Sequence, residues 1–187
     1  NLNYILDKEF LIQEKKNDVW QILCYYMKNK LVQIINNSND RYDLWSNFLS
    51  LSKLETICEL GVYKGDFAYN ILKKCSFIQK YIMIDPWENL SNWNKPANHT
   101  GDTFDIFYKE TLEKTNFAKD KRVILKGKTT EVINEILNDS SDFIYIDGDH
   151  TLKGISIDLI KTWSKVKKNG FIAGDDFCPS IWQHNIN

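Results

Sequence analysis

Apolar residues recur along this chain in two different patterns, and the change falls near residue 55. Between about 17 and 50 they return every three or four positions, which predicts amphipathic helices. NNSND at 36–40 interrupts this pattern, and Trp45, Phe48 and Leu49 predict a second short helix. We therefore expect a helical extension over residues 1–54. Its first apolar stripe comprises Trp20, Leu23, Cys24, Met27, Leu31, Ile34 and Ile35.

From about 55 onwards, short apolar runs alternate with helical segments, as in parallel β-α-β units. The fold class is therefore α/β, with a mostly parallel sheet of at least five strands in one domain over 55–187. Strands are predicted at 55–60, 80–85, 122–126, 142–147 and 171–175. Helices are predicted at 66–75, about 103–115 and about 152–167, and another begins at Thr129 or Thr130, either of which is a suitable cap. The predicted inward face of the 152–167 helix carries Leu152, Ile155, Leu159, Trp163 and Val166.

Composition narrows the class of protein. A chain of 187 residues with 43% apolar and 26% charged residues suits one globular domain with its own core. A formal net charge of −1 argues against a nucleic-acid partner. No apolar run approaches the roughly 18 residues of a membrane span, and the four cysteines show no C-x-x-C spacing. We expect a cytoplasmic protein with reduced thiols and no membrane partner.

Candidate chemistry lies where the predicted strands end. Glu59, Asp85 and Asp147 close three apolar runs, and Asp175 and Asp176 close a fourth. An unpaired carboxylate at the edge of a core is costly to desolvate. In open α/β sheets the ligand crevice lies at the carboxyl ends of the strands. Acids gathered there predict a ligand with hydroxyl groups, a positive charge or a metal ion.

Two motifs together indicate a nucleoside. Gly61 and Gly65 follow Glu59 in an E-x-G-x-x-x-G turn from strand to helix, where glycine permits close approach of a ligand and the helix start offers free N–H groups. Tight packing without a ligand is the alternative. Asp85 follows Gly61 by 24 residues, close to the spacing of an acid that binds ribose hydroxyls. The alternative is that Asp85-Pro86 merely ends the strand.

These motifs resemble the class I S-adenosylmethionine-dependent methyltransferases over residues 55–187. The stretch IDGDHTLKGISIDLIKTWSKVKKNGFIAGDDF is similar to a bacterial small-molecule group that includes the macrocin-type sugar O-methyltransferases. The resemblance implies a Rossmann-like, doubly wound sheet with the cofactor across the strand ends. Members of the class continue past the fifth strand, so it also implies that this domain is truncated at its C-terminus. The implied cofactor contacts are Glu59, Gly61, Gly65, Asp85, Lys128, Thr129 and Asp147, with Asp85 at the ribose and 127–129 near the adenine.

A metal and a base are the remaining predictions at the site. Asp147, Asp175 and Asp176 should converge, because the fourth and fifth strands are neighbours, and such oxygen ligands suit Mg²⁺. The alternative is that Asp175 or Asp176 caps a loop. His150 is the predicted catalytic base beside Asp147, because imidazole accepts protons near neutral pH. The distant relative catechol O-methyltransferase has a lysine there, and His150 as a simple helix cap is the alternative.

The predicted activity is O-methylation of a small hydroxylated acceptor, with S-adenosylmethionine as cofactor and Mg²⁺ as a second candidate. The long loop 86–102, with Trp87, Trp93 and Pro96, either covers the site or packs on the N-terminal helices. Those helices cover the pocket or form a homodimer surface. Two other functions stay open: a non-catalytic S-adenosylmethionine or nucleoside binder, and a nicotinamide-dependent oxidoreductase, against which the missing glycine pattern counts.

Overall fold

Five parallel strands form one sheet in the order β3-β2-β1-β4-β5. The computed structural model describes residues 18–91 and 97–175, with side chains from residue 28 onwards. The predicted Rossmann-like α/β fold with its helical N-terminal extension is confirmed. The strands are β1 (Thr56–Leu60), β2 (Lys80–Asp85), β3 (Arg122–Lys126), β4 (Ser141–Ile146) and β5 (Val166–Gly174). The helices are α1 (Asp18–Asn37), α2 (Arg41–Ser52), α3 (Asp66–Lys74), α4 (Gly101–Lys114), α5 (Thr129–Val132) and α6 (Leu152–Trp163).

Each face of the sheet buries its own apolar cluster. The first cluster joins alternate strand residues to α2, α3 and α4, and the second joins the others to α5 and α6. This burial on both faces explains why the strands read as continuous apolar runs. Glu59 is in register with Met83 on β2 and with Tyr145 on β4, so all three share the first face.

The N-terminal extension packs onto this first face. The Trp45 ring of α2 lies 5.3 Å from the ring of Phe143 on β4, and the Phe48 ring lies 5.0 Å from that of Phe171 on β5. The α2 helix is therefore part of the layer that flanks the ends of β4 and β5. None of the helices in the described ranges is long and apolar enough to cross a membrane.

The junction of α6 and β5 differs from the prediction. The helix ends at Trp163 and not at 167, and β5 begins at Val166 and not at 171. The backbone N–H groups of Ser140 and Ser141 both donate to the Lys165 carbonyl at 3.0 Å, which draws the chain into the sheet early. The predicted strand 5 is thus the second half of a longer strand.

The predicted inward face of α6 was wrong for three of its positions. Leu152 is 84% exposed and Trp163 is 76% exposed, and Leu159 is exposed as well. The buried positions of α6 are Asp158 and Thr162. Thr162 satisfies its hydroxyl by donating to the Asp158 carbonyl at 2.7 Å, which removes the penalty for burying it.

The cap of α5 also differs from the prediction. Lys128, and neither Thr129 nor Thr130, is the residue before the first turn of this helix. Its backbone N–H donates to Glu131 Oε2 at 3.0 Å, so the acid of the first turn satisfies the N–H group that precedes it.

Candidate functional site

The turn between β1 and α3 brings backbone directly against the end of β4. At Gly61, where φ is +84°, a Cβ atom would lie 2.1 Å from the Asp147 carbonyl oxygen. At Gly65, where φ is +73°, a Cβ atom would lie 2.8 Å from Thr111 Cγ2. Both glycines thus occupy positions with a left-handed backbone and no room for a side chain.

Asp85 holds this turn to the end of β2. Its Oδ2 accepts the N–H groups of Val62 at 2.8 Å and Tyr63 at 2.9 Å, and its Oδ1 accepts the N–H of Trp87 at 2.7 Å. Burial raises the pKa of Asp85 against the opposing effect of these three donors. A carboxylate offers about four acceptor sites, so three are committed to the backbone.

Glu59 lies beneath the turn and is 1% exposed. Its Oε2 accepts the Tyr81 hydroxyl from β2 at 2.7 Å. Burial raises the pKa of Glu59 well above its ordinary value; the Tyr81 hydroxyl opposes the rise, while the charges of Asp147 and Asp85 add to it. The protonated, neutral acid is therefore the favoured form of this buried group.

The ends of β4 and β5 bring two predicted acids together around a guanidinium. Arg41, the first residue of α2, donates from Nη1 to Asp175 Oδ2, and to Asp147 Oδ2 at 3.3 Å. Among the described residues, no group of three or more histidine, cysteine, aspartate or glutamate side chains is placed to hold a metal ion. Asp176, the third predicted ligand, lies outside those residues.

His150 lies beside Asp147, as the sequence places it. Its Nε2 is 3.6 Å from Asp147 Oδ1, which is within ion-pair range but too long for a hydrogen bond. Asp149 instead accepts the N–H and the hydroxyl of Thr151, both at 3.0 Å, at the start of α6. The other two histidines of the sequence are His99, whose Nε2 lies 2.9 Å from the Tyr63 hydroxyl oxygen, and His184, which is outside the described residues.

The loop after β2 packs inward at its start. Trp87 is 1% exposed, its indole N–H donates to the Tyr63 carbonyl at 2.7 Å, and its ring lies 5.0 Å from Tyr108 on α4. These contacts join Trp87 to the glycine turn and to α4. Trp93 and Pro96 lie outside the described residues.

A single cavity of about 910 Å³ runs along these strand ends. Gly65 and Asp175 do not line it. Among the described residues that line it, seven are acidic and three are basic, and the acids still outnumber the basic side chains when the neutral Glu59 is left out, so these residues attract cations. The predicted residues that line it are Glu59, Gly61, Asp85, Lys128, Thr129, Asp147 and His150.

Three residues of the site were not predicted from the sequence: Arg41, Tyr81 and Asp158. Asp158 lines the cavity from α6, and burial raises its pKa against a hydrogen bond from Thr129. For Arg41 the sequence holds one signal, because Arg41 and Arg122 are the two arginines of a lysine-rich chain. Arginine is favoured where a rigid fork must bind carboxylates.

Comparison with known proteins assigns a family to the architecture. A family model described as a methyltransferase domain matches residues 58–177. A search of the curated proteins finds no match.

The solved structures with a similar fold include three methyltransferases. A proposed caffeoyl-CoA O-methyltransferase from Staphylococcus aureus is 18% identical with a TM-score of 0.55, covering 94% of this chain and 73% of its own. A methyltransferase from Geobacter sulfurreducens is 14% identical with a TM-score of 0.52, covering 92% and 75%. A Podospora anserina methyltransferase bound to S-adenosylhomocysteine is 13% identical with a TM-score of 0.51, covering 88% and 72%.

Proposed function

This chain belongs to a methyltransferase-domain family, and we propose that it transfers a methyl group from S-adenosylmethionine to a hydroxyl oxygen of a small molecule. One observation carries the proposal: a single cavity joins the glycine turn and Asp85 to Asp147 and His150. Its volume of about 910 Å³ is near the upper end of the roughly 300–1,000 Å³ of small-molecule sites. That leaves room for a cofactor and a small acceptor together.

The residues at the β1 and β2 ends suit S-adenosylmethionine. Gly61 lines the cavity without a side chain, because the place of its Cβ atom is taken by the Asp147 carbonyl, and the methionine part would lie along this turn. Asp85, with one acceptor site beyond its three backbone bonds, would bind a ribose hydroxyl, and Lys128 and Thr129 would flank the adenine. Acidic side chains outnumber basic ones in the described lining of the cavity even without the neutral Glu59, and this excess, with Asp147 among them, favours a cofactor with a positive charge near the reacting atom.

The residues at the β4 end suit the acceptor and its proton. Bound S-adenosylmethionine supplies a methyl group on a positively charged sulfur. His150 would take the hydroxyl proton of the acceptor during methyl transfer. Asp147, 3.6 Å from His150 Nε2, stabilises the imidazolium that results. Oxygen as the nucleophile is supported by the resemblance to O-methyltransferases and by the name of the Staphylococcus aureus neighbour.

Cofactor binding is tested by calorimetric titration with S-adenosylhomocysteine. Asp85→Ala removes the acceptor of three backbone N–H groups beside the cavity, and we expect a loss of affinity of about tenfold or more, together with lower stability. Asp142→Ala is the matched control, because Asp142 accepts the N–H groups of Glu55 at 3.1 Å and Thr56 at 2.8 Å and does not line the cavity. Its affinity should equal that of the unaltered protein. Equal losses in both variants would contradict a cofactor site at Asp85.

Methyl transfer is tested by following S-adenosylhomocysteine formation with a panel of catechols and sugars as acceptors. His150→Gln should lower kcat by about 10²–10⁴-fold, the usual contribution of a general base, and leave S-adenosylhomocysteine affinity unchanged. Unchanged kcat would remove His150 from the reaction. Tight cofactor binding without transfer to any hydroxylated acceptor would instead identify a non-catalytic binder.

A further inference from the structure

We infer that Arg41 is the resident cation of the acceptor half of the site, in the position that the sequence suggests for Mg²⁺. The inference rests on the proposed function for its role in catalysis, and on the contacts of Arg41 alone for its effect on metal binding.

Arg41 contacts two of the predicted metal ligands directly. Arg41 Nη1 bonds to Oδ2 of both Asp147 and Asp175, so a single nitrogen bridges the ends of two neighbouring strands. A magnesium ion would need those carboxylate oxygens at about 2.0–2.1 Å. An ion at that point would be close to a guanidinium, which stays protonated in proteins. The two cations would repel each other, so the ion binds only if Arg41 leaves.

Aromatic side chains also hold Arg41 in this position. Its Cζ lies 6.0 Å from the centroid of the Phe67 ring, and that ring stacks on Tyr145 at 4.0 Å with planes 6° apart. Burial acts to lower the pKa of Arg41. A hydrogen bond with Tyr42 and the charges of Asp175 and Asp147 outweigh burial, so the pKa is raised above its ordinary value. The aromatic support and the carboxylates therefore stabilise the same position of the charged side chain.

The guanidinium of Arg41 is also accessible from the cavity. Arg41 lines the cavity together with Asp147 and His150, and its side chain is 39% exposed. A guanidinium carries five N–H donors in a rigid fork, and the two carboxylate bonds described above both use Nη1. The fixed positive charge would stabilise the negative charge that develops on the acceptor oxygen as its proton moves to His150. A bound metal ion would stabilise this negative charge in the same way.

Arg41 belongs to the N-terminal extension of the chain. It is the first residue of α2, directly after the N-cap Asp40, so the N-terminal extension supplies a charge to the site. The same helix carries a second ion pair, between Asp43 and Lys74 Nζ of α3, which does not line the cavity. These two pairs differ in one respect that matters: only the Arg41 pair involves acids at the strand ends.

Manganese binding to the full chain without cofactor tests the inference directly. Mn²⁺ takes the same oxygen ligands as Mg²⁺, and its free concentration is measured by electron paramagnetic resonance. The unaltered protein should bind Mn²⁺ no more tightly than about 1 mM. Arg41→Ala should bind at least about tenfold more tightly, because it removes the guanidinium that lies between the two carboxylates. Adding Asp175→Asn to Arg41→Ala should abolish the gain.

Lys74→Ala is the matched control, because it removes one positive charge from an ion pair of the same helix and should leave Mn²⁺ binding unchanged. Arg41→Lys keeps the charge and should exclude Mn²⁺ as the unaltered protein does. If Arg41→Ala does not fold, Arg41→Gln carries the same expectation, because it is neutral but still donates hydrogen bonds. Circular dichroism checks the fold of each variant.

Two results would overturn the inference: tight Mn²⁺ binding by the unaltered protein, or no gain of binding in a folded Arg41→Ala or Arg41→Gln variant. Failure of the proposed function is distinguishable, because it shows as absent S-adenosylhomocysteine binding in the unaltered protein, whatever the Mn²⁺ result. Where an acceptor is found, the chelator EDTA should leave the rate of methyl transfer unchanged.

Discussion

Two buried tyrosines on the first face of the sheet differ in what their hydroxyl groups contact. Tyr81 and Tyr145 are both 0% exposed. The Tyr81 hydroxyl donates to Glu59 at 2.7 Å, whereas the Tyr145 hydroxyl has no hydrogen-bond partner within the described part of the chain. The buried hydroxyl of Tyr81 is therefore compensated by a hydrogen bond. The buried hydroxyl of Tyr145 has no such bond among the described residues.

This contrast predicts opposite effects of one substitution. Tyr81→Phe should lower the free energy of unfolding by about 1–3 kcal/mol, because it leaves the buried Glu59 without its donor. Tyr145→Phe should be neutral or slightly stabilising, because it removes a polar atom that was buried without a partner. Urea unfolding measures both, and each variant is the other's control for the loss of a hydroxyl. A loss at Tyr145 as large as that at Tyr81 would show that the Tyr145 hydroxyl is bonded in solution.

The ends of the strands are where the sequence was most informative. Parallel strands in register end at the same edge, so acids that close several apolar runs must gather there. Glu59, Asp85 and Asp147 accordingly line one cavity. Local patterns sufficed here because strand direction and alternation fix both the edge and the face on which each side chain lies.

Helix faces and distant contacts were beyond such patterns. In α6, apolar spacing placed Leu152 and Trp163 inward, yet the buried positions are Asp158 and Thr162, whose polar atoms find partners that no periodicity reveals. Arg41 meets Asp147 and Asp175 across 106 and 134 residues of sequence. Only the packing of α2 on the sheet creates that contact, so the sequence proposed a metal where the structure places a guanidinium.

Among the described residues, four acids at the two ends of the sheet have pKa values shifted in opposite directions. At the cavity, burial raises the pKa values of Glu59, Asp85 and Asp158. At the opposite end, burial also acts on Asp142, but Lys167 and backbone N–H donors outweigh it and lower its pKa. The cavity end therefore loses stability as pH rises and the other end loses it as pH falls.

Glu59→Gln should separate the first of these contributions. In the unaltered protein, the unfolded chain releases the Glu59 proton near its ordinary pKa of about 4.3 while the folded chain keeps it. Stability therefore falls as pH rises, by at most about 1.4 kcal/mol per pH unit, until the raised pKa of the folded state is passed. Glutamine does not titrate and still offers an oxygen to Tyr81. The stability of the variant relative to the unaltered protein should therefore increase with pH across this window and then level off.

Asp142→Asn provides the mirror-image control when the unfolding measurements run from about pH 2 to about pH 9, because they must extend below the ordinary aspartate pKa of about 3.9. Its folded-state pKa is lowered, so the unaltered carboxylate contributes stability above the unfolded value and loses it as pH falls. The stability lost in Asp142→Asn should consequently shrink towards acid pH. In Glu59→Gln the stability relative to the unaltered protein should instead be lowest at acid pH. A stability difference for Glu59→Gln that stays constant with pH would mean that Glu59 titrates alike in both states. Glu59 would then be ionised at neutral pH, and the interpretation of a neutral acid beneath the glycine turn would be wrong.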